Sequence, residues 1–422
     1  MDLSLPRGIR DIDPDEQELH TRIRTAFEDL VRAYNFRMME PAPLETLAVL
    51  RAKSGSQVDE EIYHFKDKAD REIGLRFDLT VGMTRYVSGK KGLRPPVKLA
   101  SYGGAWRYDE PQHARYRWFH QWDVEIFGDP SIDSDAEVMD LSYNFFKRVG
   151  LSDVVLHIGD RKVVEEYIAK SLGEHVEGKA VEMMRALDKV GKKTEEELLS
   201  EYEAKGIGRS EMKDLLDFGR VAGPPEHVVP KLKDAGLESA RGLDELRDSL
   251  RQRGVTNVVY DLSIVRGIDY YTGIVFEVKD SARPDLGSLC GGGRFDALPK
   301  IFGRPDLSAT GAAGGVERIA LSLKPPARAE PSVYVAYTEP ALLKTALEAL
   351  ARLRAAGIRS EVGPRGKSLR KQMEDASSTG FRWVLLVGKK ELESGNVLLK
   401  DLSDGTESPV PLADFLAHIN PR

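Results

Sequence analysis

The sequence predicts an α+β protein: a mostly antiparallel sheet flanked by helices, interrupted by a helical insertion and followed by a separate α/β domain. Three observations carry this reading. Residues 1–157 and 257–324 alternate apolar runs with polar turns as hairpins do, not as repeating βαβ units. Residues 160–255 are dense in Lys, Glu, Leu and Ala, with Tyr202 and Phe218 the only aromatics between 173 and 253. From 331 to 422, beyond the proline-marked stretch KPPARAEP at 324–331, strand-like and helix-like segments alternate. A chain of 422 residues is too long for one core, so two or three domains are expected.

The elements follow in order. After Pro14, the apolar residues Leu19, Ile23, Phe27, Leu30 and Tyr34 recur at spacings of four and three, which predicts a helix with one face on a sheet. Asn35 ends it, and FRMMEPAPLE runs extended, turned by Pro41 and Pro43. Residues 61–80 read as two strands around a charged loop. Residues 98–128 read as two strands around a polar loop, Asp109 to Arg115, and 258–280 as strand, loop, strand. The 160–255 segment predicts several short helices with little core of their own. In the C-terminal part, SVYVAYT, IRSEV, FRWVLLVG and NVLLKDL are strands. Two helices end at Gly357 and Gly380, and a short helix closes the chain.

Composition excludes several classes. Hydrophobic residues are 41% and charged residues 31%, so the chain is not disordered as a whole. Lys and Arg number 62 against 68 Asp and Glu, a net −6, which excludes a globally basic nucleic-acid coat but not a local basic surface. The lone Cys290 excludes an internal disulfide and a cysteine-built zinc site, and suits a reducing cytoplasm. The opening MDLSLPRGIRDIDPDEQ has no apolar run, and no 18 apolar residues run together, so neither signal peptide nor membrane span is expected. Eight scattered histidines show no paired-ligand spacing, so no protein-held metal is expected. HIGD at 157–160 approaches the HIGH signature of class I aminoacyl-tRNA synthetases but lacks its final His. GPRGKS at 363–368 has Glu361 where a phosphate-binding loop needs glycine. A basic turn at a helix start suits it better, open to an RNA phosphate or simply solvated.

Three arginine-bearing segments hold the chemistry. Arg107 stands near the end of the first strand of the 98–128 hairpin, with Arg115 and Arg117 on the loop's return. A guanidinium bridges two phosphate oxygens, although such a cluster serves equally as a surface salt-bridge network. In IVRGIDYYTGIVFE, Arg266 precedes Tyr270 and Tyr271. Adjacent tyrosines on a strand point to opposite faces, so one packs and one can face a pocket. CGGGRFDAL and TGAAGGVERIA supply small residues that let backbone approach a flat ligand, followed by Arg318 at a helix start. Glycine-rich packing alone is the other reading.

Together these segments resemble motifs 2 and 3 of the class II aminoacyl-tRNA synthetases, and PAPLE at 41–45 is similar to motif 1. RGIDYYTG and CGGGRFDAL resemble the two signatures of the histidyl-tRNA synthetase family, and PRGIRDI, LRFDLT and RYRWFHQWDVEIFG fit it too. The likeness spans the whole chain. Departures are Asp78 where bacterial members carry Glu, an archaeal or eukaryotic wording; DEP at 109–111 in place of Glu-Arg-Pro; and Ala297 in place of Gly. The resemblance implies a class II catalytic domain over 1–157 and 257–324, a helical insertion at 160–255 and an anticodon-binding domain at 331–422. It implies ATP with Mg²⁺, L-histidine and tRNA(His) as ligands, in a cytoplasmic homodimer. It also implies site roles. Arg107, Asp109, Glu110, Arg115 and Arg318 would hold ATP, and Arg266 would meet the charge developing at the α-phosphate. Asp78, Thr80 and Gln121 would hold the α-ammonium, and Glu125, Tyr270 and Tyr271 the imidazole side. Backbone at Gly291 to Gly293 would close on the substrate. The rival is the histidine-binding regulatory subunit of ATP phosphoribosyltransferase, a family that lacks the C-terminal domain and has a degraded RGxDYYTG segment.

Overall fold

The computed structural model describes residues 3–110, 115–171, 179–190, 193–265, 270–323 and 332–419, with the backbone alone at 54–57 and 171. Two compact units divide the chain, Met1–Leu323 and Lys324–Arg422. In the first, α1 (Pro14–Ala33) starts where the Asp13 side chain accepts the Glu16 amide, with Pro14 in its first turn. Its buried face is Ile23, Phe27, Leu30 and Val31, and Asn35 leaves the helix at φ +59°. There follow β1 (Arg37–Met38), β2 (Leu44–Thr46), α2 (Leu47–Ser54), β3 (His64–Lys66), β4 (Glu72–Leu75) and α3 (Thr80–Gly89). The long hairpin β5 (Val97–Trp106) and β6 (Trp118–Phe127) comes next, then α4 (Ile132–Val149) and β7 (Val154–Asp160). A helical stretch holds α5 (Arg161–Ser171), α6 (Ala180–Leu187), α7 (Glu195–Glu203), α8 (Arg209–Gly219), the short β8 (Ala222–Gly223), α9 (Pro225–Asp234) and α10 (Ala240–Gln252). The unit closes with β9 (Val258–Asp261), β10 (Ile274–Asp280), β11 (Ser288–Arg294), α11 (Ala297–Ile301), β12 (Ala309–Gly315) and α12 (Val316–Ser322).

Nine of these strands form one sheet in the order β1-β5-β6-β12-β11-β10-β7-β9-β8. Only β1 with β5 and β7 with β9 run parallel; every other pair is antiparallel. β2, β4 and β3 make a small second sheet. The strands β9 and β10, adjacent in sequence, are not neighbours, because β7 lies between them. The main core gathers α1 and α4 with Trp122, Val124 and Ile126 of β6.

The expectation of helices with little core is not met. Met183, Met184, Leu198, Tyr202, Met212 and Leu215 bury one another together with Val164 and Ile168, a cluster of their own. Long aliphatic and thioether side chains fill this space where aromatics are few. α9 and α10 instead join the main core through Val228, Leu232, Leu243, Leu246 and Leu250.

The second unit comprises β13 (Ser332–Tyr337), α13 (Leu343–Ala355), β14 (Arg359–Val362), α14 (Leu369–Ser378), β15 (Trp383–Val387), α15 (Lys389–Glu393), β16 (Asn396–Asp401) and β17 (Glu407–Pro411). Its sheet order is β14-β13-β15-β16-β17, parallel across the first three strands and antiparallel beyond. Gly357 and Gly380 follow their helices at φ +75° and +71°, where a side chain would be strained. β17 was not expected from ESPVP. Its two prolines are tolerated because it is an edge strand.

One buried ion pair ties the sheet to its flanking helix. Arg294 of β11 donates to Asp135 at 3.0 and 2.8 Å, and to the Ser131 carbonyl at the start of α4 at 3.0 Å. Breaking a buried pair leaves an uncompensated charge, at a cost of about 3–5 kcal/mol. Arg294→Met is therefore expected to lower the urea midpoint of this unit sharply. The double variant with Asp135→Leu should recover part of the loss. A midpoint unchanged in the single variant would contradict the role.

Candidate active site

Alternation along β6 builds the floor of the site. Trp122, Val124 and Ile126 enter the core, while Gln121, Asp123 and Glu125 share the other face. Gly311 of β12 stands across from Glu125. A Cβ at 311 would lie 2.8 Å from Glu125 Cγ and 2.7 Å from the Val124 carbonyl oxygen, so any larger residue would displace the carboxylate. A Cβ at Gly292 would lie 2.2 Å from the Gly311 carbonyl. Gly292 serves strand packing on the core side, while Gly291 and Gly311 line a cavity of about 620 Å³ above the sheet.

Asp78, Thr80, Gln121, Glu125, Tyr270 and Tyr271 line this cavity together with Arg107, Asp109, Arg115, Arg318 and Gly291. Glu110 does not: it is exposed and pairs with Arg7 at 2.8 Å. Arg266 lies outside the described residues, as do 111–114 of the hairpin loop. Tyr270 and Tyr271 depart from expectation. Both precede β10, so strand alternation does not separate them, and their rings lie 4.2 Å apart, tilted by 36°, along the same cavity. The Arg161 guanidinium donates to the Tyr271 carbonyl. Arg107 donates to the Phe77 carbonyl at 3.0 Å and lies over the Phe119 ring at 5.1 Å. Arg115 pairs with Asp109 at 2.8 Å, and Arg318 donates to the Ser288 carbonyl at 2.7 Å.

Sequence reasoning missed Lys53, Asp123 and Glu317. Lys53 Nζ lies 2.6 Å from Asp78 and 4.3 Å from the centre of the Tyr270 ring, with 11% of its side chain exposed. Burial alone would lower its ammonium, but Asp78 and Tyr271 outweigh this and hold it above the ordinary range. Asp78 also accepts the Val81 amide at the start of α3. Fully buried Asp123 accepts from Thr80 at 3.1 Å and from Gln121 at 2.8 Å. Burial, and then Asp78 nearby, push Asp123 up to about 7. Burial and Asp123 likewise push Glu125 well above the carboxylate range, and its Oε2 has no hydrogen-bond partner among the described residues. Glu317 is buried and accepts the His120 amide at 2.8 Å. Asp123 and Glu317 lie within RYRWFHQWDVEIFG and TGAAGGVERIA, and Lys53 in no quoted segment; period two from Gln121 to Glu125 is the signal that could have found Asp123.

The cavity therefore offers carboxylates to a cation and arginines to an anion within one space. An antiparallel sheet with that division is the architecture of a class II aminoacyl-tRNA synthetase. A model of the family described as histidyl-tRNA synthetase matches residues 8–319, and one described as anticodon binding domain matches 332–421. The histidine–tRNA ligase of Thermococcus kodakarensis is 34% identical over 96% of this chain and 95% of its own length. That of Pyrobaculum arsenaticum is 35% identical over 97% of each. The crystal structure of histidyl-tRNA synthetase from Nostoc sp. PCC 7120 superposes with a TM-score of 0.87 at 26% identity, covering 99% of both chains. A structure from Bacillus halodurans titled ATP phosphoribosyltransferase regulatory subunit/histidyl-tRNA synthetase shares the fold, with a TM-score of 0.75 at 23% identity over 92% of this chain and 99% of its own. The chain belongs to the histidyl-tRNA synthetase family.

The Asp123 carboxyl gives a pH signature. Between the unfolded value near 3.9 and the folded value of about 7, the folded state binds more protons than the unfolded one, so stability falls as pH rises through that window. Asp123→Asn removes this loss. Urea unfolding is expected to show the variant gaining on the natural protein from about pH 4 to about pH 8. A difference independent of pH would contradict the assignment.

Proposed function

We propose that the cavity joins L-histidine to ATP, giving histidyl-adenylate and pyrophosphate, and then passes the histidyl group to the 3′ end of tRNA(His). The observation that carries this reading is the pairing of a carboxylate floor with cavity-lining arginines in a chain of this family. The nucleophile of the first step is the carboxylate of histidine itself. It attacks the α-phosphorus as the bond to pyrophosphate breaks, so no side-chain base is needed. The protein's work is positioning and charge stabilisation.

Arg107 holds the α-phosphate in this proposal and Arg318 the terminal phosphates, with Asp109 and Arg115 flanking the nucleotide. Arg266 meets the charge growing at the α-phosphate. Glu110, exposed and paired with Arg7 outside the cavity lining, is assigned no contact to ATP in this proposal. Mg²⁺ on the phosphates would add further positive charge; such a hard ion keeps oxygen ligands and several waters, and Asp109 and Glu317 are the cavity carboxylates outside the histidine roles that would be open to it. The α-ammonium of histidine is read by Asp78, Thr80 and Gln121. Asp123 orients the last two. By taking the Thr80 hydroxyl hydrogen and one Gln121 N–H, it leaves their oxygens free to accept from the ammonium. Glu125 accepts an imidazole N–H and Tyr271 meets the other ring nitrogen, with Tyr270 beside it. The regulatory-subunit reading is not favoured, because residues 332–421 match an anticodon-binding domain. No helix of the described residues is long and apolar enough to cross a membrane. A cytoplasmic homodimer, built through the motif-1 segment at 41–45, completes the proposal; light scattering tests the dimer.

Two predictions follow from these roles. Glu125→Gln keeps the shape and removes the charge, and a hydrogen bond to a charged group contributes roughly 1.5–3 kcal/mol. The kcat/KM for histidine in pyrophosphate exchange should fall about ten- to a hundredfold, with the KM for ATP unchanged. An equal rise in the KM for ATP would make Glu125 a support of the whole site instead. A chain ending at Leu323 contains every residue of the adenylation proposal and should keep histidine-dependent pyrophosphate exchange while losing most tRNA charging. Full charging by that shortened chain would remove the C-terminal unit from tRNA recognition.

A further inference from the structure

A second cluster lies outside the substrate roles proposed above. It joins residues that the sequence keeps far apart: His20 on α1, His120 on β6 and Glu317 in the first turn of α12. One ligand atom from each lies within 4.8 Å of the other two. His120 Nδ1 is 3.8 Å from Glu317 Oε1, and the two imidazoles meet edge to face at 5.3 Å. His20 is 3% exposed, yet neither of its ring nitrogens has a hydrogen-bond partner among the described residues, and His120 Nδ1 has none either. Buried polar atoms of native proteins find partners, and exceptions point to a water or an ion. Glu317 accepts the His120 amide through one oxygen and keeps lone pairs for more. Glu16 stands 3.5 Å from His20 Nε2, but its carboxylate is engaged by Arg10.

We propose that His20, His120 and Glu317 bind a zinc-class divalent cation, with water in the fourth position. Two imidazoles and one carboxylate form a known zinc donor set. The nitrogen donors argue against Mg²⁺, which keeps oxygen ligands, so the ion differs in kind from any Mg²⁺ on ATP, while Glu317 lies between this cluster and the cavity it also lines. Zinc bonds of about 2.0–2.1 Å hold tetrahedral donors roughly 3.3 Å apart, so side-chain rotations that draw the donors together by about 1.5 Å would close the site. The ion would clamp α1, β6 and α12 to one another. It would fix the start of α12, from which Arg318 reaches the cavity. The histidine spacing gave no hint of this, because the ligands come from three separate elements.

The test uses the full chain, stripped of metal with a chelator and titrated with Co²⁺ as a spectroscopic probe. The expected result is one equivalent per chain, with visible bands of tetrahedral cobalt that Zn²⁺ abolishes, and no requirement for ATP. Zn²⁺ should also raise the unfolding midpoint. His20→Phe fills the same space without a donor, and His20→Asn covers the case that it does not fold. Each should weaken binding by at least the roughly 10–100-fold that loss of a ligand's outer partner costs, with unchanged near-ultraviolet dichroism. If the natural protein gives no tetrahedral band, the nitrogens are served by water and the proposal fails. It fails equally if the folded variants bind Co²⁺ as the natural protein does. Neither readout uses enzymatic activity, so the outcome is independent of the proposed function.

Discussion

In the proposed reaction the site depends on carboxylates buried beneath a ligand that brings an ammonium group. Asp78, Asp123 and Glu125 all lie at 4% exposure or less, and Lys53 is the lysine that reaches them, bound to Asp78. Removing an ionised carboxylate from water costs several kcal/mol unless charge and hydrogen bonds replace the hydration. Lys53 neutralises one group. Burial favours the protonated forms of Asp123 and Glu125. An ammonium and an imidazole N–H are the groups that would let these carboxyls ionise. In this account affinity for histidine and the instability of the empty floor are one effect.

The same constraint explains the glycines. A carboxylate can stand upright on β6 only if the strand beside it offers no side chain, and Gly311 meets that need opposite Glu125. Gly292 then lets β11 pack beside β12 without pushing it away. The sheet is held at its far side by Arg294 and Asp135, a buried pair that anchors β11 to α4. Packing, strand register and substrate chemistry meet in a few short segments.

Much of this was legible in the sequence. The β5–β6 hairpin, the first helix and the β/α rhythm of the second unit follow from periodicity and turn residues. Gln121 and Glu125 came from the family resemblance, not from a local pattern. What escaped has physical reasons. The separation of β9 from β10 by β7 is a matter of sheet topology that no local pattern encodes. Lys53 lies in a helix of weak amphipathicity, and its importance comes from a partner 25 residues away. Strand rules do not apply to Tyr270 and Tyr271, because both precede β10. The insertion's core was underestimated because methionine and leucine, not aromatics, fill it.

The central claim is that the empty floor holds protons that the substrate's cationic groups replace. Calorimetry of histidine binding at about pH 7, in two buffers of different ionisation enthalpy, reads this exchange directly. The account predicts net proton release to the buffer as histidine binds, reduced in Asp123→Asn. Binding with no proton exchange, or with net uptake, would contradict it.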